Sequence, residues 1–185
     1  MTLNRRLKGT YIPKILIFLI IMSGSYAYGA VWAKTTLKKL VNTSKYVVEA
    51  SVLEQESRWD ADHKVIHTFV KIKVNQVLKG ENVPEYITLR QLGGRVGEEA
   101  MAVHGAPDFY DGQETVLFIV KHNGHYKTHS LGMGKFDKKM ENGLVYSVNT
   151  KIPAELIQTS NIKSESDIHP KFRIDALKSE IQQYK

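Results

Sequence analysis

Seven histidines are the side chains in this sequence best suited to chemistry near neutral pH: His63, His67, His104, His122, His125, His129 and His169. Three of them read His-x2-His-x3-His at 122, 125 and 129, a spacing that resembles a metal-ligand pattern. Asn123-Gly124 lies between the first two, and Asn-Gly is a strong hairpin signal because both turn positions need positive φ. A hairpin there sets His122 directly across from His125, with Cβ atoms about 5 Å apart. That pair could share a divalent transition metal, with His104 and Asp108 as completing ligands. His129 falls on the same face but about 13 Å along the strand from His125, so it belongs elsewhere. Two histidines with no third ligand make a weak site, and the plainer reading is a pair of exposed turn histidines with no cofactor.

Other chemistries are poorly supplied. The chain has no cysteine. That excludes a disulfide scaffold, a Cys-ligated zinc or iron–sulfur site, a thiol nucleophile and a lipoprotein anchor. No Gly-x-Ser-x-Gly elbow occurs. Asp108, Asp111 and Glu114 lie near His104 and could form an acid–base pair or hold a hard cation such as Ca²⁺. Asp-Gly before an apolar run is also ordinary turn chemistry. The run Gly93-Gly94-Arg95-Val96-Gly97 lacks the Lys-Ser/Thr of a phosphate loop and reads as a flexible contact loop. Trp59, Phe69, Phe109 and Tyr110 fall at strand ends or off the buried parity, where an aromatic can anchor a partner. Phe69 could equally be covered by an apolar stripe from the C-terminus. The expected binding set is therefore Trp59, Phe69, Gly93, Gly94, Arg95, Phe109 and Tyr110, with no catalytic residue.

The elements that would position these groups follow from periodicity. The chain has 185 residues, 42% of them hydrophobic and 24% charged, an ordinary globular mixture. Arg5, Arg6 and Lys8, then an apolar run over 15–22, then small residues from Ser23 to Ala30, form the three parts of a secretory signal peptide. Residues 1–29 are read as that signal, and the protein as secreted or periplasmic with no membrane span after cleavage. The signal holds four basic residues and no acidic one, so its removal lowers the net charge from +7 to +3. A charge of that size is not a nucleic-acid footprint.

The rest predicts a short helix over 36–41, a strand over 45–53 and a polar loop over 54–64. An alternating strand follows over 65–77 and another over 86–92. Residues 115–120 are apolar on both faces and predict a central strand. A second Asn-Gly, at 142–143, pairs Glu141 with Leu144 and Lys139 with Tyr146, joining strands over 135–141 and 144–149. After a polar linker over 160–167, the pattern from Pro170 onward is helical, with Ile174, Leu177, Ile181 and Tyr184 in one stripe. About six closely spaced strands predict a mainly β fold, a small barrel or sandwich. The expected organisation is a β-barrel domain over 30–150, then a linker and amphipathic helix over 151–185 packed on it.

Several turn and core motifs recur in a familiar order. They are Val47-Val48; Val77-Leu78-Lys79-Gly80; the Gly93-Gly94 loop; Gly105-Ala106-Pro107-Asp108-Phe109; Asp111-Gly112-Gln113; Val116-Leu117-Phe118-Ile119; and Gly132-Met133-Gly134-Lys135-Phe136. This order resembles a group of uncharacterised exported bacterial proteins. More loosely it is similar to the netrin and tissue-inhibitor-of-metalloproteinase modules, which share a V-x-K-G strand end on an OB-type barrel. The resemblance implies an OB-like barrel and a non-catalytic binding module with an exported protein partner, an exported protease among the candidates. The metalloproteinase inhibitors grip the protease zinc through an N-terminal cysteine, and that mechanism cannot carry over here. Two rival expectations are a metal-binding protein or metal-dependent enzyme built on the histidines, and an envelope-associated structural protein held by an uncleaved N-terminal segment.

Overall fold

A computed structural model describes residues 33–184. The expected signal segment over 1–29 lies outside the described residues. In chain order the described strands and α-helices are β1 (Thr35–Thr36), α1 (Leu37–Thr43), β2 (Tyr46–Trp59), β3 (Ile66–Lys79), β4 (Tyr86–Leu92), β5 (Gly94–Val96), β6 (Glu99–Met101), β7 (Glu114–His122), β8 (His125–Thr128), β9 (Lys135–Glu141), β10 (Leu144–Val148), β11 (Ile157–Gln158), β12 (Lys171–Arg173) and α2 (Ile174–Gln182). The fold is mainly β, with one large sheet and two helices. Among the described residues the strands number well beyond the six expected.

The large sheet has eight strands in the order β12-β10-β9-β7-β2-β3-β4-β8, and β8 pairs back onto β7. The strands β7, β2, β3, β4 and β8 therefore close a hydrogen-bonded ring. One pair in it, β4 with β8, is parallel, through Leu89 and Tyr126. Register shifts in β2 near Val47, Glu49 and Val52 mark local irregularity in its pairing with β3, the kind of feature that bends a strand. Both Asn-Gly hairpins have the register expected from sequence: His122 faces His125, and Glu141 faces Leu144.

Alternation sorts the apolar residues into two cores. Val48, Ala50, Val52, Val70, Ile72, Ile87, Leu89, Leu117 and Ile119 share one cluster, contributed by ring strands. The opposite parity sends Val47, Leu78, Val116 and Phe118 to a second cluster with Leu37, Leu40 and Val41 of α1 and Leu177 and Ile181 of α2. This is why residues 115–120 are apolar on both faces: β7 serves both cores at once. Helix α1 starts where the Thr36 hydroxyl accepts the Lys39 N–H at 3.0 Å, an N-cap bond.

Three sequence expectations change, and one pairing has no counterpart among them. The loop expected over 54–64 is mostly strand, because β2 runs on to Trp59, paired with Ile66. Residues 53–56 and 58 are exposed, so this arm shows no burial alternation; its backbone ladder holds it. The turn is closed by the Asp60 carboxylate, which accepts the Lys64 and Val65 N–H groups at 2.7 and 3.1 Å. The glycine loop over 93–97 is a hairpin, β5 against β6. The C-terminal helix begins at Ile174 rather than at Pro170, since Lys171–Arg173 first pairs with β10 and sends Phe172 into the outer core. Finally, β11 pairs in parallel with β1, a long-range contact of two residues each that leaves no periodic signal.

Candidate functional site

An open groove of about 830 Å³ forms beside the β2–β3 arm, walled by the end of β4, the β5–β6 hairpin and the irregular segment that follows it. Its polar lining includes Gln55, Ser57, Thr68 and Gln91, together with Arg95, His104, Asp108 and Lys151. Gln55 Nε2 donates to the Phe109 carbonyl at 2.7 Å and so ties the irregular segment to β2. Thr68 donates to the Gly93 carbonyl at 2.7 Å, and the Ser57 and Thr68 hydroxyl oxygens are 2.9 Å apart. With the Thr68 proton committed to that carbonyl, the Ser57 hydroxyl is the donor between them.

The two glycines are there for space. A Cβ on Gly94, at φ +141°, would lie 2.3 Å from Thr68 Oγ1 and 2.4 Å from Ser57 Oγ. A Cβ on Gly93, at φ +91°, would meet the Met101 carbonyl at 2.8 Å. The pair lets the β5–β6 hairpin lie against the hydroxyls of β2 and β3, a role of close approach rather than of flexibility.

Of the binding residues expected from sequence, Gly93, Gly94, Arg95, Phe109 and Tyr110 all line this groove. Tyr110 is 62% exposed at its rim, whereas Phe109 is 5% exposed and belongs to the ring core. Phe109 is thus a floor residue rather than a protruding anchor. Lys135 lies 5.1 Å from the centre of its ring and pairs with Asp137. Burial holds the Lys135 ammonium below its ordinary pKa, and Asp137 opposes that shift. Trp59 and Phe69 sit elsewhere. Trp59 stacks on His63 at the tip of the β2–β3 arm. Phe69 lies under the Arg58 guanidinium, 4.8 Å from it. The apolar stripe of α2 packs instead on the outer core. Gln55, Ser57, Thr68 and Gln91 are groove residues that the sequence reading missed. Gln91 did carry a signal: it follows Ile87 and Leu89 at the buried parity of β4, where a polar side chain is out of place.

The Ser57 and Thr68 hydroxyls of the groove bond each other and a backbone carbonyl, and among the described residues neither is hydrogen-bonded to a histidine or carboxylate. The acidic residues are drawn to lysines: Asp108 pairs with Lys151, and Glu114 with Lys138 at 3.1 Å.

A second groove, of about 460 Å³, is lined by His67, Arg90, Gln91, His122, His125, Lys127 and Thr128, together with Leu92, Asn123, Ser130 and Leu131. His122 and His125 are here, but His104 and Asp108 line the first groove. Among the described residues no group of three or more His, Cys, Asp or Glu side chains is placed to hold a metal ion. His129 is committed to the fold: one ring nitrogen is 2.8 Å from Thr43 Oγ1 on α1 and the other 2.8 Å from Ser130 Oγ.

Comparison with protein-family models, with curated proteins and with solved structures finds no match for this chain. Among the described residues no helix is long and apolar enough to cross a membrane.

Proposed function

We propose that this chain is an exported, non-catalytic binding module on an OB-type barrel, and that it takes an extended segment of a partner protein in the larger groove. The barrel assignment is supported by the ring. In chain order its strands run first, second, third, fifth, fourth and back to first, with the parallel pair between third and fifth. That is the order of an OB-type barrel, the fold implied by the turn and core motifs. The export assignment rests on the basic, apolar and small-residue pattern of residues 1–29.

The observation that carries the function is the chemistry of the groove lining. Neutral hydrogen-bonding groups (Gln55, Ser57, Thr68, Gln91) stand beside Met101, Val103 and Pro107. Such a wall suits backbone amides and short side chains of an extended peptide. The hydroxyls are not activated, so binding rather than turnover is the fitting role. An exported protease is one partner this reading accommodates.

Site-specific photocrosslinking tests it. A benzophenone amino acid replaces Met101 or Tyr110, with Met140 on the exposed β9–β10 hairpin, 76% exposed, as the control position. The full chain is expressed in its host and irradiated. A single partner is expected to crosslink from 101 and 110 and not from 140. No adduct from the groove positions, or the same adducts from all three, overturns the reading.

A further inference from the structure

The second groove has an electrostatic character that the peptide-binding reading does not use. Its cationic or protonatable side chains come from four strands: His67 on β3, Arg90 on β4, His122 on β7, and His125 and Lys127 on β8. No acidic side chain lines it. Among the described residues neither Arg90 nor Lys127 takes part in an ion pair. The charge of the Asp60 carboxylate reaches His67, but Asp60 is already bonded to two turn amides.

Two residues that line this groove also carry a buried donor without a partner. Gln91 is 5% exposed; its Oε1 accepts the Thr128 hydroxyl at 3.2 Å, while its Nε2 is buried and unbonded. Arg90 Nε is likewise buried and unbonded. Arg90 Nη2 lies 3.1 Å from His67 Nε2, so the guanidinium faces an imidazole rather than a carboxylate. Buried donors without acceptors cost free energy unless something supplies the acceptor. Like charges gathered around a cavity cost more as each protonates.

We propose that this groove binds a tetrahedral oxyanion, the phosphate or sulfate group of a small ligand, and binds it more tightly as the pH falls. Arg90 and Lys127 supply the standing charge. His67 adds charge on protonation. The groove volume exceeds that of the bare ion, which leaves room for a small organic group carrying it. Burial, Arg90 and His125 all hold the His67 imidazole below its usual pKa. A bound anion would reverse that shift, which ties affinity to proton uptake. The inference does not rest on the peptide-binding reading: Arg90, Lys127 and the three histidines line the second groove alone, and of the groups named here only Gln91 lines both.

The imidazole proton resonances of the full chain report it. They are titrated in a non-coordinating buffer with sulfate, inorganic phosphate, glycerol phosphate or zinc chloride, and with sodium chloride at matched ionic strength. Sulfate keeps its charge across the range, so it serves the pH arm. Saturable shifts at His67 and His125 are expected with sulfate and phosphate. Affinity for sulfate should be about fivefold higher near pH 5.5 than near pH 7.5, the linkage of one imidazole raised by about one pKa unit. Tighter binding of glycerol phosphate than of phosphate assigns the site to an organic ester, and the reverse order to the free ion. Arg90→Gln should abolish the shifts. If that variant fails to fold, Lys127→Gln should weaken them. Shifts matched by sodium chloride, no saturable anion binding, or stoichiometric zinc binding at His122 and His125 with no anion effect would each overturn the proposal.

Discussion

Gly94 shows how one residue can decide the shape of the larger groove. Its φ of +141° is costly for any residue with a Cβ, and the space a Cβ needs is filled by Ser57 and Thr68. Gly94→Ala is therefore expected to destabilise the protein by about 2–3 kcal/mol, through strain and displacement of the hydroxyl pair. Gly97→Ala, at φ +60° with open space around it, should cost only about 1 kcal/mol. Denaturant midpoints of the two variants check this, and equal losses would remove the steric argument. His67 and His129 make a second prediction. Burial is the largest cause holding each below the ordinary imidazole value of 6.5 in the folded state, with Arg90 next for His67 and Lys39 for His129. Below that value the unfolded chain binds more protons than the folded one, so stability rises with pH and falls on acidification. The loss begins as pH drops through about 6.5 and is complete below the folded pKa values. It is separate from the loss expected below about pH 4, where Asp60 and Asp175 give up the backbone bonds that lower their pKa values. Melting temperature followed from pH 7.5 downward should show the first step. His129→Gln should reduce it, and a flat wild-type profile between pH 7.5 and 5 would refute the assignment.

At the scale of elements, periodicity was legible wherever burial imposed it. β3 alternates, β4 alternates, and β7 is apolar throughout because it lies between two cores. The hairpin registers followed from Asn-Gly turn geometry alone. Elements held by backbone pairing without burial were not legible: the outer half of β2 and the β5–β6 hairpin. Neither was β11, whose one buried residue, Ile157, is too little to make a period. Helix α2 combines both cases. Its stripe was readable, but its start was not, because Lys171–Arg173 is claimed by the β10 edge. The stripe is expected to matter energetically. Leu177 is fully buried in the outer core, so Leu177→Ala should cost about 2–5 kcal/mol. Thermal unfolding monitored by circular dichroism measures it, and a change within error would mean that α2 is only loosely docked.

At the scale of the molecule, local chemistry and long-range closure divide the account between them. The sequence by itself determined a mainly β protein with two tight Asn-Gly hairpins, a double-faced central strand and an amphipathic C-terminal helix. It also determined the lack of any thiol chemistry. Each of these follows from neighbours within a few residues, where turn geometry and burial period leave direct marks. The candidate site was legible only in part. Five of the seven expected binding residues share the larger groove, because glycines and aromatics flag turns and strand ends. Which of them are exposed, and that Trp59 and Phe69 sit apart, depended on how β2 and β3 extend beyond the core. The histidine pair was legible from turn chemistry. Its company of Arg90, His67, Lys127 and Gln91 was decided only when β8 paired with both β7 and β4. That closure joins residues far apart in sequence, and hydrogen-bonded pairing between distant strands leaves no periodic trace in either one.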